Sequence, residues 1–292
     1  MIPLHLTGTG GGLGPVVLIA LGVTVLGCWY AAGLWEVMDH PQGRRQQRWR
    51  APAVLTGVVV LLAVTVPPLG DVLEERLSTH MAQHLVILTV VAPLLAVGAP
   101  GQVLLAALSP TVRRPLVALA HHLPGRALAT PLAWLVSVAG LWLWHLPAAY
   151  DAAVRSTGVH LLEHATFLLT AWLFWARLVR LARTPGRGIA AAAYVAAAVP
   201  PGAALGAVLT FADRPLYPLQ AAHARAVGID PLLDQRIAGI VMWVPLDLVY
   251  LAVAIWLFAR WLRGLQESAP DAAGTSTLPA DVRPAQAEVT SK

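Results

Sequence analysis

The sequence predicts an all-α, polytopic membrane protein of seven transmembrane helices, and three observations carry that expectation. Apolar types make up 57% of the 292 residues and charged types 12%, about half the roughly 25% charged content of a soluble protein. The apolar residues fall into seven stretches, each near the roughly 20 residues that a helix needs to cross a hydrocarbon core about 30 Å thick. No alternation of polar and apolar residues marks barrel strands. The mean hydropathy of +0.66 agrees.

The stretches lie at about 13–37, 52–69, 80–97, 128–147, 160–178, 189–211 and 236–259. The second and third contain Pro67, Pro68 and Pro93, which predicts kinked or broken ends supported by neighbouring helices. The sixth is Ala-rich and holds Pro200 and Pro201, so it is the weakest candidate for one straight helix. Residues 1–264 form the transmembrane domain in this reading. From Glu267 the chain turns to Ala, Pro, Ser, Thr and acids, and 265–292 is expected to be a disordered cytoplasmic tail.

Arginine sets the expected direction. Arg44, Arg45, Arg48 and Arg50 follow the first stretch, Arg113, Arg114 and Arg126 the third. Arg177, Arg180, Arg183 and Arg187 end the fifth, and Arg260 and Arg263 the seventh. On the opposite side, acids such as Asp71, Glu74, Glu75 and Asp213 outnumber the arginines. The positive-inside rule then puts the N-terminus outside and the C-terminus in the cytoplasm of a multi-pass cell (inner) membrane protein. The first stretch has a basic cluster only after it, which suits an uncleaved reverse-oriented anchor better than a signal peptide. The net charge of +5 does not point to nucleic acid, because the basic residues sit in short clusters between apolar stretches. Cys28 is the sole cysteine, so no intramolecular disulfide or CxxC pair is possible, and its place in an apolar run marks it as a packing residue. The sole lysine is Lys292. A retinal Schiff base needs one inside the bundle, so the retinal-protein reading fails.

The histidines are the informative feature. His40, His121 and His122 belong to loops expected to face the cytoplasm, while His5 and His223 lie in outer segments without a partner spacing. The other five gather at one depth: His80 and His84 open the third span, His145 closes the fourth, and His160 and His164 open the fifth. His80/His84 and His160/His164 are both i, i+4 pairs, which puts each pair on one helical face. The stretches HMAQH and HLLEH echo each other. The competing reading makes these imidazoles interfacial, bonded to loops and headgroups; ionisable residues within spans otherwise mark functional sites.

Imidazole suits copper, zinc, iron and nickel, and thioether sulfur favours Cu(I). Met81 and Met242 lie at the same depth, as soft ligands or as packing residues. Glu163 and Gln83 directly precede His164 and His84, and Asp151 closes the segment WLWHLPAAYD. Each is a candidate to orient a ring nitrogen from outside the ligand set, or a plain interfacial polar residue. Haem is the rival occupant, since two histidines on facing helices, such as His84 and His164, can ligate its iron. Pairs at i, i+4 suit one small ion better than a flat macrocycle. In the seventh span, Asp234, Gln235 and Arg236 stand at the outer mouth and Asp247 near the middle. Asp247 marks an ion or proton path, or makes a helix–helix hydrogen bond to a Thr or Tyr.

The run HMAQHLVILTVVAPLLAVGAP, the segment WLWHLPAAYDAAVRSTGVHLLEHATFLLTAWLFW and the stretch DPLLDQRIAGIVMWVP together resemble the multi-span CtaG family of cytochrome c oxidase assembly factors, distantly similar to CopD-type copper-transport proteins. The resemblance covers roughly residues 52–260, spans two to seven. The family's histidine motifs match His80, His84, His145, His160 and His164, and its DQR-type motif matches Asp234, Gln235 and Arg236. The resemblance implies a membrane factor, not an enzyme, that supplies copper during maturation of a haem-copper oxidase. It predicts copper, as Cu(I), held by His84, His160 and His164 with His80 and His145 completing or alternating in the site. The expected partners are haem-copper oxidase subunits and membrane lipid, not nucleic acid. A copper transporter using Asp247 and a haem-binding electron-transfer protein are the alternatives.

Overall fold

Residues 14–122 and 129–267 are described in a computed structural model, and every regular element among them is helical. His5, Arg126 and the tail from residue 268 lie outside them. Helix α1 spans Gly14–Met38 and α2 Pro41–Thr65. Proline opens α2 because its missing N–H is one of the unpaired donors of a first turn anyway. The helix therefore begins well before the expected second span. The arginines assigned to a loop, Arg44 to Arg50, lie in its first turns, as arginine and glutamine favour a helix once one is nucleated. Hydropathy reported the membrane-thick part of this helix and not its true start.

Short helix α3 (Leu69–Glu74) leads into α4 (Leu77–Val86), a π-helical segment (Ile87–Val91) and α5 (Ala92–Gly98). The kink expected near Pro93 takes the form of this wider turn, since proline cannot donate to the carbonyl four residues back. The indole Nε1 of Trp175 donates to the Leu88 carbonyl at 2.8 Å, so a carbonyl inside the wide turn is satisfied. Ala99 stands in the left-handed region at φ 48° between α5 and α6 (Pro100–Ala106) and breaks the helix there.

Helix α7 covers Pro110–His122, α8 Ala129–Trp144 and α9 Pro147–Arg155. The last two are bent by 71°. Leu146 precedes Pro147 and is extended (φ −65°, ψ 134°), the conformation that a following proline imposes. His145 sits at this elbow. Helix α10 runs Thr157–Arg183, longer than the expected fifth span. The sixth stretch is two helices, α11 (Gly188–Ala196) and α12 (Val199–Phe211), with Pro200 and Pro201 in the opening turn of the second. Helix α13 (Pro218–Ala226) precedes α14 (Pro231–Glu267), which begins ahead of the expected seventh span and ends beyond it.

Among the described residues, five helical stretches are long and apolar enough to cross a membrane: Pro41–Thr65, Leu77–Gly98, Thr157–Arg183, Gly188–Phe211 and Pro231–Gln266. The bent pair α8–α9 makes a sixth if it counts as one span. The expected first span coincides with α1, which is not among them. Helices α4, α10 and α14 supply much of the buried core, including Met81, Phe167, Phe174, Met242 and Leu246. Helix α14 packs along α12, α4 and α11, and α10 packs along α8 and α5. Glycine lets α12 and α14 touch: a Cβ on Gly206 would run into the Trp243 ring, and one on Gly239 into Thr210.

Candidate metal centre

Two helix starts bring the histidines together. Helix α4 begins where Asp234, reaching over from α14, caps it: Oδ2 accepts from the Leu77 amide at 2.8 Å, and Oδ1 from the Ser78 amide at 3.3 Å and hydroxyl at 2.6 Å. Helix α10 carries its own cap, the Ser156 hydroxyl, which accepts from the Val159 amide at 3.5 Å. His80 and His84 then lie one turn apart on α4, and His160 and His164 one turn apart on α10. All four rings are buried.

The rings form a quartet. Centroids are 4.2 Å apart for His80–His84 and 4.3 Å for His160–His164 within the helices. Across the seam they are 5.4 Å apart for His80–His160, 5.2 Å for His84–His164 and 6.2 Å for His80–His164. Glu163 enters the same space. Its carboxylate is 1% exposed, and Oε1 lies 3.9 Å from Nε2 of His84. One ligand atom each from His80, His160 and Glu163 falls within 4.8 Å of the others. Expected as an orienting residue, Glu163 thus stands where a ligand would.

Burial makes the quartet costly unless something satisfies its donor atoms. Both ring nitrogens of His84, Nε2 of His164 and Oε2 of Glu163 are buried with no hydrogen-bond partner among the described residues. Each such group costs about 1–3 kcal/mol of lost hydration. Imidazole nitrogens and a carboxylate at this spacing are a donor set that one cation would satisfy together.

His145 stands beside the quartet and not within it. Its Nδ1 donates to the Leu141 carbonyl at 2.7 Å, and its Nε2 faces the Met81 sulfur at 3.2 Å. A carbonyl only accepts, so Nδ1 carries the proton, and in the neutral ring Nε2 presents a lone pair to the thioether. Phe167 separates this pair from the quartet, packing on His84 at 4.6 Å and on His145 at 6.2 Å between centroids. Tyr217 donates from its hydroxyl to the His145 carbonyl at 3.0 Å. Burial, with Glu163 nearby, raises the Tyr217 hydroxyl above its ordinary pKa and keeps it a donor.

Other expected helpers do different work. Gln83 does not orient His84: its Nε2 donates to the Val64 carbonyl at 2.6 Å and ties α4 to the end of α2. Asp151 pairs with Arg155 at 3.9 Å, one turn along α9, and the Leu141 carbonyl accepts the hydrogen bond of the His145 ring instead. Asp234 anchors a helix. Gln235 accepts from the Leu216 amide at 2.6 Å and donates to the Leu209 and Arg214 carbonyls at 3.3 and 3.4 Å, so it holds the segment that delivers Tyr217. Met242 is a buried core residue. Asp247 is also buried, its Oδ1 without a hydrogen-bond partner among the described residues and facing Gly202.

Sequence reasoning missed Glu74 and His223. Glu74 Oε1 lies 3.7 Å from Nδ1 of His160. Both Glu74 and His223 line a cavity of about 20 Å³ together with His80, His160 and Glu163. Neither has a spacing that signals this, because each is brought in by a separate short helix, α3 or α13.

A family model described as cytochrome c oxidase caa3 assembly factor matches residues 28–264. An uncharacterized protein of Mycobacterium leprae (strain TN) is 27% identical over 261 residues, which cover 84% of this chain and 39% of that protein. The chain thus spans about two fifths of the length of this curated relative. No solved structure matches the chain. The family match takes in α4, α10 and α14 whole except for the last turn of α14, and with them all five clustered histidines; the chain belongs to the cytochrome c oxidase caa3 assembly factor (CtaG) family.

Proposed function

We propose that this protein is a cell-membrane assembly factor that holds copper, as Cu(I), in the His80–His84–His160–His164 quartet with Glu163 and hands it to a haem-copper oxidase subunit, without turning over a substrate. The observation that carries this reading is the buried quartet with its carboxylate, a donor set with nitrogens left unbonded. Imidazole nitrogens suit copper, and the Met81 sulfur that faces His145 beyond Phe167 is the nearby soft donor that favours Cu(I) over a harder divalent ion. Close ring packing and a cavity of about 20 Å³ favour a bare ion over a macrocycle. Helix α1 adds a seventh span in this reading. The arginine-rich connections lie in the cytoplasm, so the quartet opens to the outer face.

Metal analysis of the detergent-purified chain beside a variant lacking His80, His84, His160 and His164 tests the proposal. Copper in the parent and none in the variant is the expected result. A metal-free parent loaded with Cu(I) and still unable to retain it sinks the reading.

A second reading, copper transport across the membrane, is favoured by Asp247, buried midway along α14 with an unbonded oxygen. Vesicle flux that collapses in Asp247→Asn would select it, and absence of flux in the parent would remove it.

A further inference from the structure

The cavity of about 20 Å³ beside the quartet is lined by residues from five helices. The buried His80, His160 and Glu163 line it together with the half-buried Glu74 of α3 and His223 of α13, which are the side nearer solvent. Gln220, on the same face of α13 one turn before His223, is 6% exposed and lines the cavity as well. Its Nε2 is buried with no hydrogen-bond partner among the described residues. A buried amide lacking a protein acceptor beside a polar cavity is a donor available to a water or a ligand there. Tyr150 and the apolar Ala153 and Val154, all of α9, complete the lining.

Resting on the reading that the quartet binds copper, we propose that this cavity is the port through which the ion reaches and leaves it. His223 and Glu74 take the ion first, and His80 and His160 take it from them. Glu74 Oε1 is already 3.7 Å from the His160 ring, so one ligand can be exchanged for the next without the ion being released into an apolar interior. A space of this size holds about one water. The ion therefore passes stripped of any chelating carrier, with Gln220 Nε2 donating to the single water that travels with it. A partner that delivers or collects copper must give it up at His223, on the side nearer solvent, and cannot insert a bulky ligand into the quartet. No covalent bond or electron is exchanged in this step; the ion only changes ligands.

The test uses the full chain in detergent, loaded with Cu(I) alone, and follows release to an excess of a coloured Cu(I) chelator. In Val154→Phe, which narrows the port without touching a donor atom, copper bound at equilibrium stays at the parent level and release slows at least about tenfold, the scale on which supporting groups act at metal sites. In His223→Ala, release slows by a similar factor, and millimolar imidazole in the buffer restores it. Release as fast as the parent's in both variants overturns the port. So does slow release in His223→Ala that imidazole leaves unchanged. A parent chain that retains no Cu(I) overturns the quartet reading and the port with it, whereas full copper with unchanged rates overturns the port alone.

Discussion

Glu163 and His84 face each other across the α4–α10 seam, carboxylate Oε1 3.9 Å from imidazole Nε2, with both side chains almost wholly shielded from solvent. The gap is too wide for a direct hydrogen bond and too narrow for a packed side chain between them. Two groups that each lose hydration on burial are held just out of bonding range, the arrangement expected of donors spaced around a third atom.

Removing the charge while keeping the shape tests that arrangement. Glu163→Gln is expected to weaken Cu(I) binding by about 10- to 100-fold, read by competition with a chelator of known affinity. Unchanged affinity would move Glu163 out of the ligand set.

The unbonded His84 nitrogens predict an inverse relation between binding and stability. His84→Leu, similar in size and apolar, should raise the stability of the copper-free chain by about 1–2 kcal/mol, because two buried unsatisfied atoms disappear, while copper retention is lost. Thermal unfolding in detergent with and without Cu(I) measures both. A copper-free variant less stable than the parent contradicts the prediction.

Asp234 acts at a distance, by fixing the first turn of α4. Asp234→Ala removes the acceptor for two backbone amides and the Ser78 hydroxyl and is expected to cost about 1–2 kcal/mol, the range for loss of a helix cap. Asp234→Asn keeps one of the two acceptor oxygens and should recover only part of that. The ratio of copper affinities in the two variants reports whether His80 and His84 depend on this cap.

The glycine contact between α12 and α14 concerns the fold alone. Gly206→Val pushes a side chain into Trp243 and should destabilise the chain by about 1–3 kcal/mol, as overpacking does. The copper content per folded molecule should not change. Loss of copper in the folded fraction would show that α12 helps shape the quartet.

Much of the site was legible in the sequence because an i, i+4 spacing survives any tertiary arrangement: His80/His84 and His160/His164 had to share faces, and topology had to bring both faces to one end. Depth alone could not say which way His145 turns, since that depends on the 71° elbow before Pro147 and on the Leu141 carbonyl. Gln83 was judged by adjacency in sequence, whereas a neighbour at i−1 on a helix points about 100° away, and Gln83 accordingly bonds α2, while Asp151 lies beyond the elbow on α9 and pairs with Arg155. Glu74 and His223 were invisible for the opposite reason, since they reach the site from short helices with no apolar period. Hydropathy found five of the seven expected spans as long apolar helical stretches, the second, third, fifth, sixth and seventh; it marks membrane thickness and misses polar extensions such as the first turns of α2 and the ends of α14.

Both imidazole pairs are spaced by one turn, and they meet in register, His80 opposite His160 and His84 opposite His164. Sliding α10 along α4 by that turn, about 5.4 Å, would leave only one facing pair and strand the other two rings. Helix α10 also packs along α5, and Trp175 bonds the Leu88 carbonyl, so the register that aligns the four rings is set a full turn or more beyond them and is kept by the fold whatever the rings hold.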